Sequence, residues 1–296
     1  MTELPSARDI DKISQAILKG SRAWGILPTP VDKIVDFTEL VINKQIDISK
    51  VHEGYLQRAP EALFRALGKL RGLFDRSRKT IYLDLSQLPT RRNFVKLHET
   101  GHGVLPWQQT IYEVLEDDDD SLSQHAIEEF EQEANYFASV TLFQHEIFFS
   151  ELKKLHLGID AAVALSKRFG ASLHATLRKY IEQSPKRCAL LVLDKASPIQ
   201  SIPEFPKRNF FASSRFLTTF GAIEWPELFG LEWSFAKDYY SNRKGIIPGT
   251  VEIGTGNGAE CFHYQFFNNH YNGLVFLFPV GEKQSSKIDL ILTTAR

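Results

Sequence analysis

Apolar residues recur at helical spacing near the start of the chain: Ile10, Ile13 and Ile17, then Ala23 and Trp24. This predicts an amphipathic helix over residues 9–27, stopped by Leu27-Pro28-Thr29-Pro30. Thr29 is expected to cap a second helix with Pro30 at its first position, carrying Val31, Ile34, Val35, Leu40 and Val41. Alternation at Ile46 and Ile48 suggests a short strand over 45–49, and residues 60–70 read as helical. Gly72-Leu73-Phe74 and residues 80–85 flank a polar turn at 75–79, the signature of a β-hairpin. Phe94, Val95 and Leu97 then lead a helix that starts at Thr90 or the arginines after it and ends near Gly103, before Pro106. Residues 107–120 read as irregular, and the acidic run Glu116 to Asp120 as a solvated loop.

In the next helix, Ser121 or Ser123 is the expected cap. Ile127, Phe130, Ala134, Phe137, Ala138, Val140 and Thr141 form its broad apolar face. Residues 160–180 read as helix, glycine turn at Gly170, and a helix capped by Ser172. From Cys188 the pattern changes to strands: 189–193 as a buried run, then 261–267 and 273–279 as a hairpin turning at 268–272, with 288–292 as a further strand. The aromatic residues of this part (Phe210, Phe211, Phe216, Trp225, Trp233, Tyr239, Tyr240) are expected to be core.

The chemistry concentrates in His98-Glu99-Thr100-Gly101-His102. On a helix, His98 and His102 lie one above the other on one face, so both imidazoles can hold one Zn²⁺ from the same side. Glu99 is placed to take a proton from water at such a site, as its general base. Two histidines on a surface helix is the plain alternative; the apolar flanks Phe94, Val95, Leu97, Val104 and Leu105 argue for a buried helix instead. Gly101 gives up about 1 kcal/mol of helix propensity, which makes sense if another backbone comes close. A zinc site of this kind needs a third protein ligand, and a glutamate on a packed second helix supplies it. Glu131 is preferred and Glu133 is the alternative; Ala134 and Ala138 would let the helices approach, and Asn135 is placed to bond a ligand from behind.

Charge and composition remove some classes. The chain has 296 residues, a formal net charge of −1 and 43% hydrophobic residues. That is ordinary for a globular protein and argues against one that coats nucleic acid through its overall field. Cys188 and Cys261 are its two cysteines, which is no disulfide framework and fits a reducing cytoplasm. The polar N-terminus lacks the apolar stretch of a signal peptide, and no run of apolar residues is long enough to span a membrane. Lys167, Arg168, Arg178, Lys179, Lys186 and Arg187 make the 160–187 stretch locally basic. DNA contact is one reading; a helical packing module is preferred, given the neutral whole chain.

Two segments in order, 94–102 and Glu131-Gln132-Glu133-Ala134-Asn135-Tyr136-Phe137-Ala138, resemble the ImmA/IrrE family of metallopeptidases. The hairpin before the motif and the opening segment Trp24 to Asp32 are similar to that family as well. Lys96 departs from it, standing where a small residue is common, and so does the segment Ser139 to His145. The resemblance implies an α+β chain: a zincin-like metallopeptidase domain over 1–150, a helix-turn-helix-like segment over 151–187, and a C-terminal α/β domain over 188–296 similar to GAF sensor domains. It implies His98, His102 and Glu131 as zinc ligands and Glu99 as base, in a cytoplasmic endopeptidase that cleaves a helix-turn-helix repressor and so relieves repression. Tyr112, Tyr136 and His145 are candidates to stabilise the oxyanion. A regulator that keeps the zinc fold and acts by binding DNA or a repressor is the alternative.

Overall fold

The computed structural model describes residues 4–50, 71–111, 123–196 and 203–282. The segment 60–70, the acidic run at 116–120, Tyr112, Ser121 and the strand expected at 288–292 lie outside them. The chain forms two compact units, Met1–Phe148 with Lys167–Ser172, and Phe149–Ser166 with Leu173–Arg296.

The first unit begins with helices α1 (Ala7–Gly20) and α2 (Val31–Phe37). α1 is shorter than its apolar pattern predicts, because the chain leaves the helix at Ser21. There Ser21 N–H bonds the Ile17 carbonyl, Arg22 turns left-handed (φ 55°), and Ala23 and Trp24 both donate to Leu18. Ala23 is still wholly buried, so it belongs to the core without belonging to the helix. Thr29 is not a cap. Its hydroxyl donates to the Leu142 carbonyl at 2.7 Å, and Pro30 takes the capping position with no side-chain bond. α2 also stops early: Glu39 is left-handed (φ 59°), and Val41 opens a strand, β1 (Val41–Asp47), longer than the one expected. A turn of 3-10 helix, Ile48–Lys50, ends it.

Strands β2 (Gly72–Asp75) and β3 (Thr80–Leu83) form the expected hairpin, with Gly72 opposite Leu83 and Asp75 opposite Thr80. β1 runs parallel to β3, giving the sheet order β1-β3-β2. The motif helix α3 (Pro89–Val104) follows, opened by a proline at its first position, where no backbone N–H is needed. Residues 106–111 are helical, not irregular, again starting at a proline. Helix α4 (Gln124–Phe143) is capped by Ser123, which accepts from Ala126 N–H. Its face is buried as predicted except at Ile127, which is 39% exposed.

α4 ends at Gln144, a wholly buried left-handed residue (φ 44°). Its amide accepts from Gly25 N–H at 2.7 Å and donates to Ala23 and Ile26 carbonyls and to the Thr29 hydroxyl. One side chain thus satisfies the irregular Ala23–Thr29 loop, whose backbone groups would otherwise be buried unpaired. This is where the chain departs from the family's usual segment. The other departure, Lys96, pairs with Asp32 at 2.5 Å. Helix α5 (His145–Leu152) follows, then α6 (Ile159–Phe169) and α7 (Leu173–Gln183), joined at left-handed Gly170. Lys179 is buried, Arg178 pairs with Glu182 at 2.9 Å, and Arg187 pairs with Glu282 at 2.6 Å.

The second unit is built on a six-stranded antiparallel sheet of order β6-β5-β4-β9-β8-β7. Its strands are β4 (Ala189–Leu193), β5 (Phe205–Ala212), β6 (Leu228–Phe229), β7 (Ile246–Thr255), β8 (Gly258–Asn268) and β9 (Gly273–Pro279). Every residue of β4 is buried because both sheet faces are covered. Ala189, Leu191 and Leu193 face a cluster with Phe216 and Phe220 of α8 (Ser214–Phe220) and Phe235 and Tyr239 of α9 (Ser234–Tyr240). α7 packs against β4 and β5, and Tyr180 on it meets Phe276 at 5.6 Å between ring centres. Of the aromatic residues expected in the core, Tyr240 alone is exposed (63%). Among the described residues no helix is long and apolar enough to cross a membrane.

Candidate metal centre

α3 and α4 cross where both carry small residues. A methyl group built on Gly101 would sit 3.1 Å from the Ala134 Cα and 3.3 Å from the Phe137 ring. The glycine therefore serves close backbone approach, as its low helix propensity suggests. On the near face of this crossing, three side chains converge. His98 Nε2 and His102 Nε2 are 3.2 Å apart, and each lies 3.3 Å from one oxygen of Glu131. Two nitrogens bound to one tetrahedral ion at about 2.0–2.1 Å would be about 3.3 Å apart. Two neutral imidazoles and a carboxylate are also the donor set zinc accepts, so the residues fit a metal ion.

Glu131 is the glutamate of this cluster, and Glu133 is not. Two residues on, the helix has turned Glu133 inward, where it is 3% exposed. Its Oε2 accepts from Trp107 Nε1 at 2.7 Å and from Gln108 Nε2 at 2.8 Å. Gln108, wholly buried, also donates to the Phe130 carbonyl, and its Oε1 lies 2.9 Å from His102 Nδ1. The backing expected from Asn135 thus comes from Gln108; Asn135 is exposed. Sequence reading missed Gln108 and Trp107 because they were placed in an irregular segment. The available signal was Pro106, which opens a helical turn. Tyr136 does not face the cluster, since its hydroxyl bonds Asp11.

Glu99 is buried (7% exposed) next to both histidines. Burial pushes its carboxyl above the ordinary range, His98 and His102 pull it back, and Glu131 adds to the rise. His102 is raised on balance: burial works against its charged form, but the bonds to Glu131 and Gln108 outweigh that. Glu131 is held well below the usual carboxylate range by its bonds to His102 and His98. Space for the Glu99 carboxylate comes from β2. A methyl group at Gly72 would lie 2.5 Å from Glu99 Oε1 and 2.5 Å from Val95 Cγ1. Gly72 is, with Gln108 and Trp107, a third residue of the site that the sequence did not single out.

Comparison with known proteins adds to this geometry. Residues 64–180 match the Peptidase_M78 family, described as an IrrE N-terminal-like domain. No curated protein matches the chain. Among solved structures, a Mycobacterium tuberculosis transcriptional regulator superposes with a TM-score of 0.54 at 15% identity, covering 93% of this chain and 88% of that one. At that identity the likeness is one of fold.

Proposed function

We propose, for a chain whose residues 64–180 match the Peptidase_M78 (IrrE N-terminal-like) family, that it is a zinc-dependent endopeptidase. The observation that carries this reading is the convergence of His98, His102 and Glu131 with a buried carboxylate, Glu99, one residue from the first histidine. His98, His102 and Glu131 are the ligands in this reading. When bound, zinc supplies Lewis acidity, which polarises a carbonyl and acidifies water. Glu99 removes a proton from the attacking water and returns it to the amide nitrogen that leaves, so its carboxyl ends the cycle as it began. Burial of Glu99 keeps bulk water away from the proton it carries between the two transfers. By the family resemblance, the substrate is a helix-turn-helix repressor, and cleavage relieves repression. The second unit, by the same resemblance, is a GAF-like sensor domain that conditions this activity.

The test begins with zinc content of the purified protein, wild type beside Glu131→Ala. About one zinc per chain, lost in the variant, supports the three-ligand site. The second step is repressor cleavage by wild type against Glu99→Gln. Intact repressor with relief of repression by both proteins would replace the peptidase with a regulator that acts by binding.

A further inference from the structure

The hydrogen-bond chain behind His102 fixes more than its position. Gln108 Nε2 lies 2.8 Å from Glu133 Oε2 and 3.2 Å from the Phe130 carbonyl oxygen. A carboxylate that already accepts from Trp107 and a backbone carbonyl are both acceptors, so the amide nitrogen must face them. The amide oxygen is then left facing His102 Nδ1, at 2.9 Å. An amide oxygen only accepts, so His102 Nδ1 carries the hydrogen. Its Nε2 keeps the lone pair on the side of His98 and Glu131. The opposite tautomer would give Glu131 an N–H at 3.3 Å, but it would set two acceptors face to face at 2.9 Å behind the ring, in the shorter and fully buried contact.

We infer that Gln108 is a positioning residue, oriented by Glu133 and Trp107, that holds His102 in its Nδ1–H tautomer and so aims the Nε2 lone pair at the point shared with His98 and Glu131. Its purpose rests on the metal-site reading above; its geometry does not. Glu133 acts through Gln108 and is no ligand. The arrangement also accounts for a buried carboxylate two residues from an exposed one on the same helix.

The test uses the full chain, ¹⁵N-labelled and metal-free, at about pH 9, above the ordinary imidazole range. Two-bond ¹⁵N–¹H correlations read the tautomer of His102 directly. Wild type is expected as Nδ1–H, and Gln108→Leu as the ordinary Nε2–H form. Zinc affinity, measured by competition with a chelator, is expected to fall about 10- to 100-fold in Gln108→Leu. Since that variant leaves Glu133 short of a donor and can misfold, a second variant is needed. Glu133→Gln is isosteric and can keep its oxygen toward Trp107 and Gln108, so it should keep the Nδ1–H tautomer and bind zinc within a few-fold of wild type, as befits a residue that only orients Gln108. The inference is overturned by an Nε2–H tautomer in wild type, by Gln108→Leu matching wild type in tautomer and affinity, or by loss of zinc binding in Glu133→Gln. Wild type with the Nδ1–H tautomer but no zinc uptake would support the positioning role and sink the metal reading alone.

Discussion

In the first unit the deepest side chains include Gln108, Glu133, Thr141 and Gln144, each with a hydrogen-bond partner. In the second they are ring after ring: Phe216, Phe229, Phe235, Phe262, Phe266 and Phe276, with Ser166, Thr176, Lys179, Ser184 and Ser213 the buried polar residues described there. The first interior has rings of its own, Phe137, Phe143, Phe148 and Phe169, and adds to them a larger set of buried polar side chains than the second holds among the described residues. A core of rings fills space, and many ring arrangements of equal volume would do. A buried amide with three or four partners admits one orientation, and a wrong one leaves groups unpaired in low dielectric. The unit that carries the candidate metal centre is the one whose interior holds more directional bonds.

The strongest way to break that contrast is to remove the base without touching the frame. Glu99→Gln should lower peptide hydrolysis by about 10²- to 10⁴-fold, with zinc content and melting temperature near those of wild type. Gly72→Ala should act in the same direction more weakly, since the new methyl crowds Glu99 Oε1 and Val95 while touching no ligand. Loss of zinc in Gly72→Ala would contradict that. Next comes the frame. Gln144→Leu should cost about 3 kcal/mol, because it strands the Gly25 N–H and the Ala23 and Ile26 carbonyls. Phe262→Leu, in the ring-filled core, should cost about 1.5 kcal/mol or less. Urea unfolding of both variants decides, and equal costs would erase the distinction drawn between the units.

Those residues also mark what could be read from the chain. His98, Glu99 and His102 were legible because one helix holds them at a fixed spacing. The choice between Glu131 and Glu133 was open: both flank apolar residues, and only the phase of α4 against α3 turns one toward the histidines. Gln108 was legible only as part of a helical turn opened by Pro106; that it joins His102 to Glu133 was not, since Phe130 and Glu133 lie 22 and 25 positions away. β4, β8 and β9 announced themselves as apolar or alternating runs. β5 and β7 did not. They carry Pro206, and Pro248 with Gly249 and Gly254, and β7 is an edge strand, where proline is tolerated because no neighbour needs its N–H. The ends of α1 and α2 were missed because the apolar pattern runs on after the helix stops.

The smallest expected effect is one of pH. In the metal-free protein the raised pKa of His102 and the lowered pKa of Glu131 work in opposite senses. The His102 contribution is complete below the ordinary imidazole value and lost as pH rises through its raised one. The Glu131 contribution is present above the ordinary carboxylate value and lost as pH falls through its depressed one. The raised carboxyl of Glu99 adds to the alkaline-side loss, because burial disfavours the ionised form that appears as pH rises above the ordinary carboxylate value. Metal-free stability should thus be greatest at about pH 5 and decline toward about pH 9, and Glu131→Gln should flatten the profile in thermal unfolding. With zinc added the slope should reverse, because protons compete with the ion for His102.

The contact of Gly101 with the Ala134 backbone makes the bite of the site a property of the main chain. Ligand side chains can rotate, but two helices in van der Waals contact set one spacing and resist both compression and spread. Zinc, bound at about 2.0–2.1 Å, fits such a gauge. Calcium, at about 2.3–2.6 Å and needing more oxygens, would have to pry the helices apart. Ion choice would then be written in a glycine and an alanine that never touch the ion.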